Sequence, residues 1–142
     1  MKKAKLQIEP AFDFELLGIV SPIREYRMAW LVNQELELNL IKADDLELEF
    51  LNAEKLEIAQ YLLSLPHGFI QLLKNKAINS TQQAAYLIPE LKNLDYFLLV
   101  QDETEELDLI NFVKKLSRNP LVQSIVRIDI TKLKSKENLL TY

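Results

Sequence analysis

The sequence predicts a single α+β domain, in which a mainly antiparallel sheet of about six or seven strands carries two helices on one face. Three observations predict it. The chain has 142 residues, the usual size of one domain. Apolar residues make up 49% of it, which is enough for a core. Its apolar pattern runs strand–helix, several strands, then strand–helix–strand, with too few helices for a doubly wound α/β fold.

The first strand and the first helix are predicted from residues 12–35. Over residues 12–20, apolar residues first alternate with acids and then run on without interruption, as in a strand that becomes fully buried. A helix should follow over residues 22 to 34 or 35. We expect Ser21 to cap it through its hydroxyl, and Pro22 to take the first helical position, where its missing N–H is not needed.

The middle of the chain predicts further strands. Leucines alternate with polar residues, as in half-buried strands. The Leu-Pro-His-Gly sequence at 65–68 predicts a turn, because proline fixes φ and glycine permits positive φ. Residues 75–83 are polar and predict a loop, and residues 89–93 predict a bend. The predicted strands after the first lie at residues 39–42, 46–51, 57–63, 69–74, 96–100 and 122–130.

The second helix is predicted from its charges and its apolar spacing. Asp102 should cap it, with Glu105 at the capping-box position three residues later. Acids at its start and bases at its end match the helix dipole. One face carries apolar residues at helical spacing, namely Leu107, Ile110, Val113 and Leu116. With the strands on either side, this helix could form a split βαβ unit of the ferredoxin-like type.

The composition leaves little material for catalysis. The chain has no cysteine, which removes thiolate nucleophiles, disulfides and Cys-ligated zinc. His67 is its single histidine and lies in the predicted turn, with no GxSxG or HExxH motif in the chain. The acids of residues 35–57 lack the spacing of a calcium loop and favour a solvated strand face. We predict no catalytic residue, no metal and no cofactor, and the balance leans against an enzyme.

The net charge and the chain ends bear on partners and location. A net charge of −4 makes nucleic acid an unlikely partner, because phosphate contacts need a basic surplus. No targeting segment is visible, and no apolar run approaches the roughly 18 residues of a membrane span. We therefore predict a cytoplasmic protein without membrane contact. The basic ends, at about residues 1–8 and 132–142, are expected to be loose.

Residues 88–96, with the sequence IPELKNLDY, join a rigid proline bend to a buried strand. This segment resembles the signature of the IPExxxVDY family of uncharacterised bacterial proteins, with Leu94 in place of the valine. The matching positions are Ile88, Pro89, Glu90, Asp95 and Tyr96. Residues 24–30 are similar to the first helix of that family, whose members have about this length. The resemblance implies no assigned activity, cofactor or catalytic residue.

The acids of this segment lie beside apolar residues, so they need partners if they are buried. Arginines of the first helix could pair with them and fix the helix against the bend. One interpretation is that this polar group specifies the fold alone. The other is that it forms a polar pocket that binds a small ligand or a peptide. The candidate binding residues are Arg24, Tyr26, Arg27, Glu90, Asp95 and Tyr96.

Scarce catalytic side chains and a helix that carries tryptophan and tyrosine favour association over catalysis. We predict a non-enzymatic binding or scaffold module that acts through protein–protein contact, with a protein partner or as a homodimer. One alternative is a small enzyme or ligand-binding protein that uses the Arg/Glu/Asp/Tyr cluster. A weaker alternative is an RNA-associated factor in which the basic ends and Arg127 form one patch.

Overall fold

The computed structural model describes residues 14–49, 55–79, 85–102 and 107–139. These residues form two helices and eight strands, so the predicted α+β class is confirmed. The helices are α1 (Glu25–Leu36) and α2 (Leu109–Ser117). The strands are β1 (Glu15–Val20), β2 (Ile41–Lys42), β3 (Leu46–Glu49), β4 (Lys55–Ile58), β5 (Gln60–Leu65), β6 (Gly68–Lys74), β7 (Tyr96–Asp102) and β8 (Ser124–Ile128).

Six of these strands form one antiparallel sheet in the order β2-β5-β6-β7-β1-β8. Strands β3 and β4 pair with each other in a separate two-stranded sheet. Strand β1 lies between β7 and β8 and runs antiparallel to both. The β7–α2–β8 segment is therefore a split βαβ unit, the arrangement that the sequence allowed.

Both helices cover the same face of the large sheet, as predicted. Leu17 and Leu98 share one buried apolar cluster with Val32 of α1 and Leu116 of α2. The other face is covered by β3 and β4, by residues 85–95 and by the C-terminal turns. Because neighbouring strand residues point to opposite faces, the central strands are buried on both sides. Neither described helix has the length and apolar character needed to cross a membrane.

The start of α1 differs from the prediction. The helix begins at Glu25, and Arg24 occupies its N-cap position without a side-chain hydrogen bond. Ser21 does not cap the helix and Pro22 does not open it. The buried Ser21 hydroxyl instead donates to the carbonyl of Leu121 at 2.6 Å, and its N–H donates to Asp95 Oδ2 at 2.8 Å. The Ser21 hydroxyl is therefore used in a long-range hydrogen bond and does not cap the helix.

The start of α2 also differs, because β7 runs further than predicted. Asp102 pairs with Gly68 in the sheet, and its carboxylate accepts a hydrogen bond from Leu107 N–H at 3.1 Å. The N-cap is Asp108, whose side chain accepts from Asn111 N–H at 3.2 Å. The predicted cap at Asp102 is therefore wrong, and its partner in the capping box, Glu105, lies outside the described residues.

The buried face of α2 was predicted only in part. Phe112 and Leu116 are buried, whereas the Ile110 side chain is 64% exposed. The reason is the spacing, because residues placed strictly three apart drift around the helix by about 60° per step, so Ile110 lies about 120° from the buried Leu116. The predicted strand at 57–63 is likewise divided, since β4 and β5 belong to different sheets.

The predicted turn at 65–68 is confirmed, and it joins β5 to β6 with His67 exposed. The C-terminal segment is not loose over its described part. Two 3₁₀ turns, Ile130–Lys132 and Lys136–Leu139, place Leu133 and Leu139 in the apolar cluster beneath the sheet. Residues 1–8 and 140–142 of the predicted loose ends lie outside the described residues.

Candidate functional site

The proline bend is held by Asn75, a fully buried residue just after β6. Its side-chain amide donates to the carbonyls of Leu91 and Leu94, at 2.9 and 3.0 Å. Its side-chain oxygen accepts from Ile88 N–H at 2.9 Å. Its backbone N–H donates to the carbonyl of Asp95 at 2.9 Å. One side chain thus satisfies backbone groups on both sides of the bend, which fixes the bend against the sheet.

The sequence did not identify Asn75 as important. We predicted it to belong to a polar loop, because asparagine is typical of loops. Asn79 lies in the same predicted loop, and its exposed side chain bonds backbone groups of β4, namely the Lys55 carbonyl and Glu57 N–H. No local pattern separates the buried asparagine from the exposed one. The difference arises from the tertiary position of each residue.

Tyr96 ties β7 to the segment before α1. It is fully buried, and its hydroxyl donates to the carbonyl of Ile23 at 2.5 Å. Lys74 Nζ lies 3.4 Å from that hydroxyl and 3.7 Å from a Glu25 carboxylate oxygen. Burial, and then the nearby carboxylates of Glu25 and Asp95, raise the pKa of Tyr96 above its ordinary value of 10.0. The phenol stays a neutral hydrogen-bond donor and is poorly suited to proton transfer near neutral pH.

Asp95 anchors the same connection from its other end. Its carboxylate accepts from the buried Ser21 N–H, and its own N–H donates to the carbonyl of Ile19 at 2.8 Å. Asp95 and Tyr96 together hold residues 21–23, which lead from β1 into α1. Both residues fix the position of α1 through hydrogen bonds to the backbone of residues 21–23, so in this structure they serve the fold.

Glu90 lies elsewhere and holds the C-terminal segment. Its exposed carboxylate accepts from Ser135 N–H at 2.7 Å and from the Ser135 hydroxyl at 2.8 Å. Slight burial raises the pKa of Glu90, but these hydrogen bonds outweigh that effect, and the pKa lies below its ordinary value. Glu90 therefore holds the C-terminal segment, and it forms no ion pair with Arg24 or Arg27 among the described residues.

Arg24, Tyr26 and Arg27 are exposed at the N-terminal end of α1. Neither arginine forms an ion pair with another residue that the structure describes. The buried arginine–carboxylate pair considered from the sequence is thus not formed among these residues. The structure does not bring the six candidate residues into one pocket: half lie on the surface of α1, and the others make internal hydrogen bonds.

The exposed side of α1 carries two large aromatic side chains. Trp30 is 64% exposed and Tyr26 is 59% exposed. They are four positions apart, so they are neighbours on the helix surface. We call this surface the α1 face and define it by its exposed residues: Arg24, Tyr26, Arg27, Trp30, Gln34 and Glu37. Its charge is positive at the beginning of the helix and negative just past its end.

A cavity of about 300 Å³ opens beside Trp30. It lies between the last turns of α1 and the segment that follows, and its lining residues are Trp30, Asn33, Gln34, Glu37 and Leu38. The Asn33 side chain donates to the Leu40 carbonyl at 3.2 Å and accepts from Leu40 N–H at 2.8 Å. These two bonds fix the wall of the cavity, so it is a preformed groove next to an exposed indole.

A second cavity, of about 380 Å³, lies between the start of α2 and the ends of β1, β7 and β8. None of the six candidate residues lines it. Its basic residue, Arg127, pairs with Glu15. Its acids Asp102 and Asp108 accept hydrogen bonds from backbone N–H groups at the start of α2. These polar groups are already bonded within the chain.

Comparison with protein-family models, with curated proteins and with solved structures gave no match. The resemblance of residues 88–96 to the IPExxxVDY signature therefore stays a prediction. In the described part of the chain, no group of three or more histidine or acidic side chains is arranged to hold a metal ion.

Proposed function

We propose that this protein is a non-enzymatic binding module that acts through protein–protein contact, and that its contact surface is the α1 face. The main observation behind this proposal is the exposure of the Trp30 side chain. Tryptophan is among the residue types most buried on average in folded chains, and it is enriched at the energetic centres of interfaces. Here it is 64% exposed, with Tyr26 beside it and a groove next to it.

The way in which α1 is held against the sheet supports the same function. Its buried side packs on the sheet through Met28 and Val32, and its approach from β1 is held by Asp95 and Tyr96. A surface that is already rigid loses little conformational entropy when a partner binds. The 88–96 segment thereby acquires a role in this function, because it positions the helix that makes the contact.

The charges at the edge of the α1 face also favour a protein partner. Arg24 and Arg27 have no ion-pair partner among the described residues, and arginine is enriched at protein interfaces. By contrast, Glu90, Asp95 and Tyr96 use their polar groups within the chain, which does not favour a ligand-binding or catalytic cluster. Arg127 pairs with Glu15, which does not favour a basic patch for RNA.

The test is affinity purification from the native cell with mass spectrometry, comparing the wild-type protein with the Trp30→Ala variant. The matched control is Ile110→Ala, because that side chain is also 64% exposed but belongs to α2. We expect a stoichiometric protein partner with the wild type and the control. Its recovery with Trp30→Ala should fall at least about tenfold, as for an interface hot spot.

The result that contradicts the proposal is a partner retained equally by all three proteins, or the absence of any stoichiometric partner, a second copy of the chain included. Trp30→Ala should leave the melting temperature nearly unchanged, because the side chain is mostly exposed. A thermal melt of each variant therefore separates loss of binding from loss of folding.

A further inference from the structure

The partner that fits the α1 face best is a second copy of this chain. We propose that two copies associate through α1, with the helices antiparallel across a two-fold axis that passes between positions 30 and 31. This inference rests on the proposed function, because it names the occupant of the same surface.

The charges on the α1 face are complementary to themselves in this orientation. Arg24 and Arg27 lie at the beginning of the helix, and Glu37 lies just past its end. Helical residues advance by an equal rise of about 1.5 Å, so a two-fold axis between positions 30 and 31 places position 24 opposite 37. Arg24 then lies at the same level along the interface as Glu37 of the second copy, so opposite charges approach each other at both ends by symmetry.

The position of Arg27 supports the same register. The two-fold axis places position 27 opposite 34, so Arg27 faces the amide of Gln34, whose carbonyl oxygen can accept from a guanidinium. Parallel helices would instead bring the arginines of the two copies together at one end. That arrangement would place like charges side by side, which disfavours binding. Antiparallel packing is therefore the orientation that the charge distribution allows.

The groove beside Trp30 supplies a matching shape. In a two-fold interface each contact occurs twice, so one indole and one groove on each copy can form two identical contacts. Trp30 of one copy can enter the groove of the other, where Leu38 offers an apolar wall. Gln34 and Glu37 in the same groove can accept a hydrogen bond from the indole N–H. The groove walls are fixed before binding by the bonds between Asn33 and Leu40.

The strength of this association follows from its size. A single helix packed on a single helix is small beside interfaces that bury about 1,200–2,000 Å² in total, so we expect a dimer with a Kd in the micromolar range. Exposed ion pairs add little affinity, whereas a central tryptophan is a typical hot spot. Trp30→Ala should therefore raise the Kd at least about tenfold, and the charged residues should mainly set the orientation.

Analytical ultracentrifugation of the purified protein across micromolar concentrations is the first measurement. The sharpest variants reverse the charges of one pair. Arg24→Glu alone and Glu37→Lys alone each place like charges opposite one another, so each should weaken the dimer. The double variant Arg24→Glu/Glu37→Lys restores opposite charges and should recover dimerisation. Circular dichroism of each variant checks that the exposed substitutions leave the fold intact.

Cross-linking tests the orientation directly, because the chain has no cysteine of its own. The double variant Arg27→Cys/Gln34→Cys should oxidise to a covalent dimer, since those positions face each other across the axis. Neither single variant should do so efficiently. Efficient cross-linking of Arg27→Cys alone would indicate parallel helices and would overturn the proposed geometry.

The outcomes also separate this inference from the proposed function. A protein that stays monomeric at all micromolar concentrations overturns the inference. If Trp30→Ala still abolishes the recovery of a different protein partner, the α1 face is a binding surface and the proposed function survives. If neither self-association nor any other partner depends on Trp30, both proposals fail. A dimer that persists unchanged in Trp30→Ala overturns the inference as well.

Discussion

Asn75 offers the most demanding test of how residues 88–96 are held. Alanine at this position removes the three side-chain hydrogen bonds to Ile88, Leu91 and Leu94. A buried polar group left without a partner costs about 1–3 kcal/mol. The bond to Leu91 is only partly buried, so water can replace it in part. We expect Asn75→Ala to lower the free energy of unfolding by about 3–5 kcal/mol, a large share of the ~5–15 kcal/mol of a typical domain.

Urea unfolding followed by far-UV circular dichroism is the suitable assay, because the exposed Trp30 would report poorly on the core. Asn79→Ala is the matched control, since it makes the same substitution at an exposed asparagine that also bonds the backbone. It should lower the free energy of unfolding by less than about 1 kcal/mol. A loss in Asn75→Ala no larger than in Asn79→Ala would refute the reasoning that one buried amide fixes the bend.

Three further predictions concern stability and the C-terminal segment. Because the pKa of Tyr96 is raised, its contribution to stability is present below about pH 10 and is lost as the pH rises further. Tyr96→Phe should therefore reduce the loss of unfolding free energy at alkaline pH, measured by urea unfolding. An equal alkaline loss in the wild type and the variant would contradict this prediction. Leu116→Ala should lower the free energy of unfolding by about 2–5 kcal/mol, against less than about 0.5 kcal/mol for Ile110→Ala, and equal losses in urea would show that α2 is wrongly oriented. Glu90→Ala should speed tryptic cleavage in the segment around Ser135, and cleavage at the wild-type rate would show that Glu90 does not hold it.

The strands could be predicted because their signals are local. Alternating leucines, the run of apolar residues in β7 and the Pro-His-Gly turn each lie within a short stretch of sequence. The turn also has a strict requirement, since Gly68 has a φ of +153° and a Cβ there would lie 1.9 Å from the carbonyl oxygen of Gln101. Local sequence was sufficient wherever local geometry decided the structure.

The helix starts could not be predicted, because their capping candidates are used over long distances. The Ser21 N–H bonds Asp95, which is 74 residues away, and its hydroxyl bonds Leu121, 100 residues away. Asp102 is held in the sheet opposite Gly68. A serine or an aspartate before an apolar run is a sound capping signal only while no distant partner competes for it.

The candidate residues were chosen by type, and type does not fix the face of the sheet on which a side chain lies. Ile88 and Leu94 pack beneath the sheet, whereas Tyr96 packs on the helix side. Glu90 therefore meets the C-terminal segment, while Tyr96 meets the segment before α1. Trp30 could be read from the sequence as part of a wide apolar helix, but its exposure depends on the rotation of α1 against the sheet.

The place of β1 between β7 and β8 has a consequence for synthesis. Its two neighbours, β7 and β8, are the last strands of the described chain, and Glu15 of β1 pairs with Arg127 of β8 across 112 residues of sequence. An early strand must therefore wait for β7, and longer still for β8, until those later residues have left the ribosome. Contacts of such long separation slow folding, and an apolar strand waiting in that state is open to aggregation or to chaperone capture.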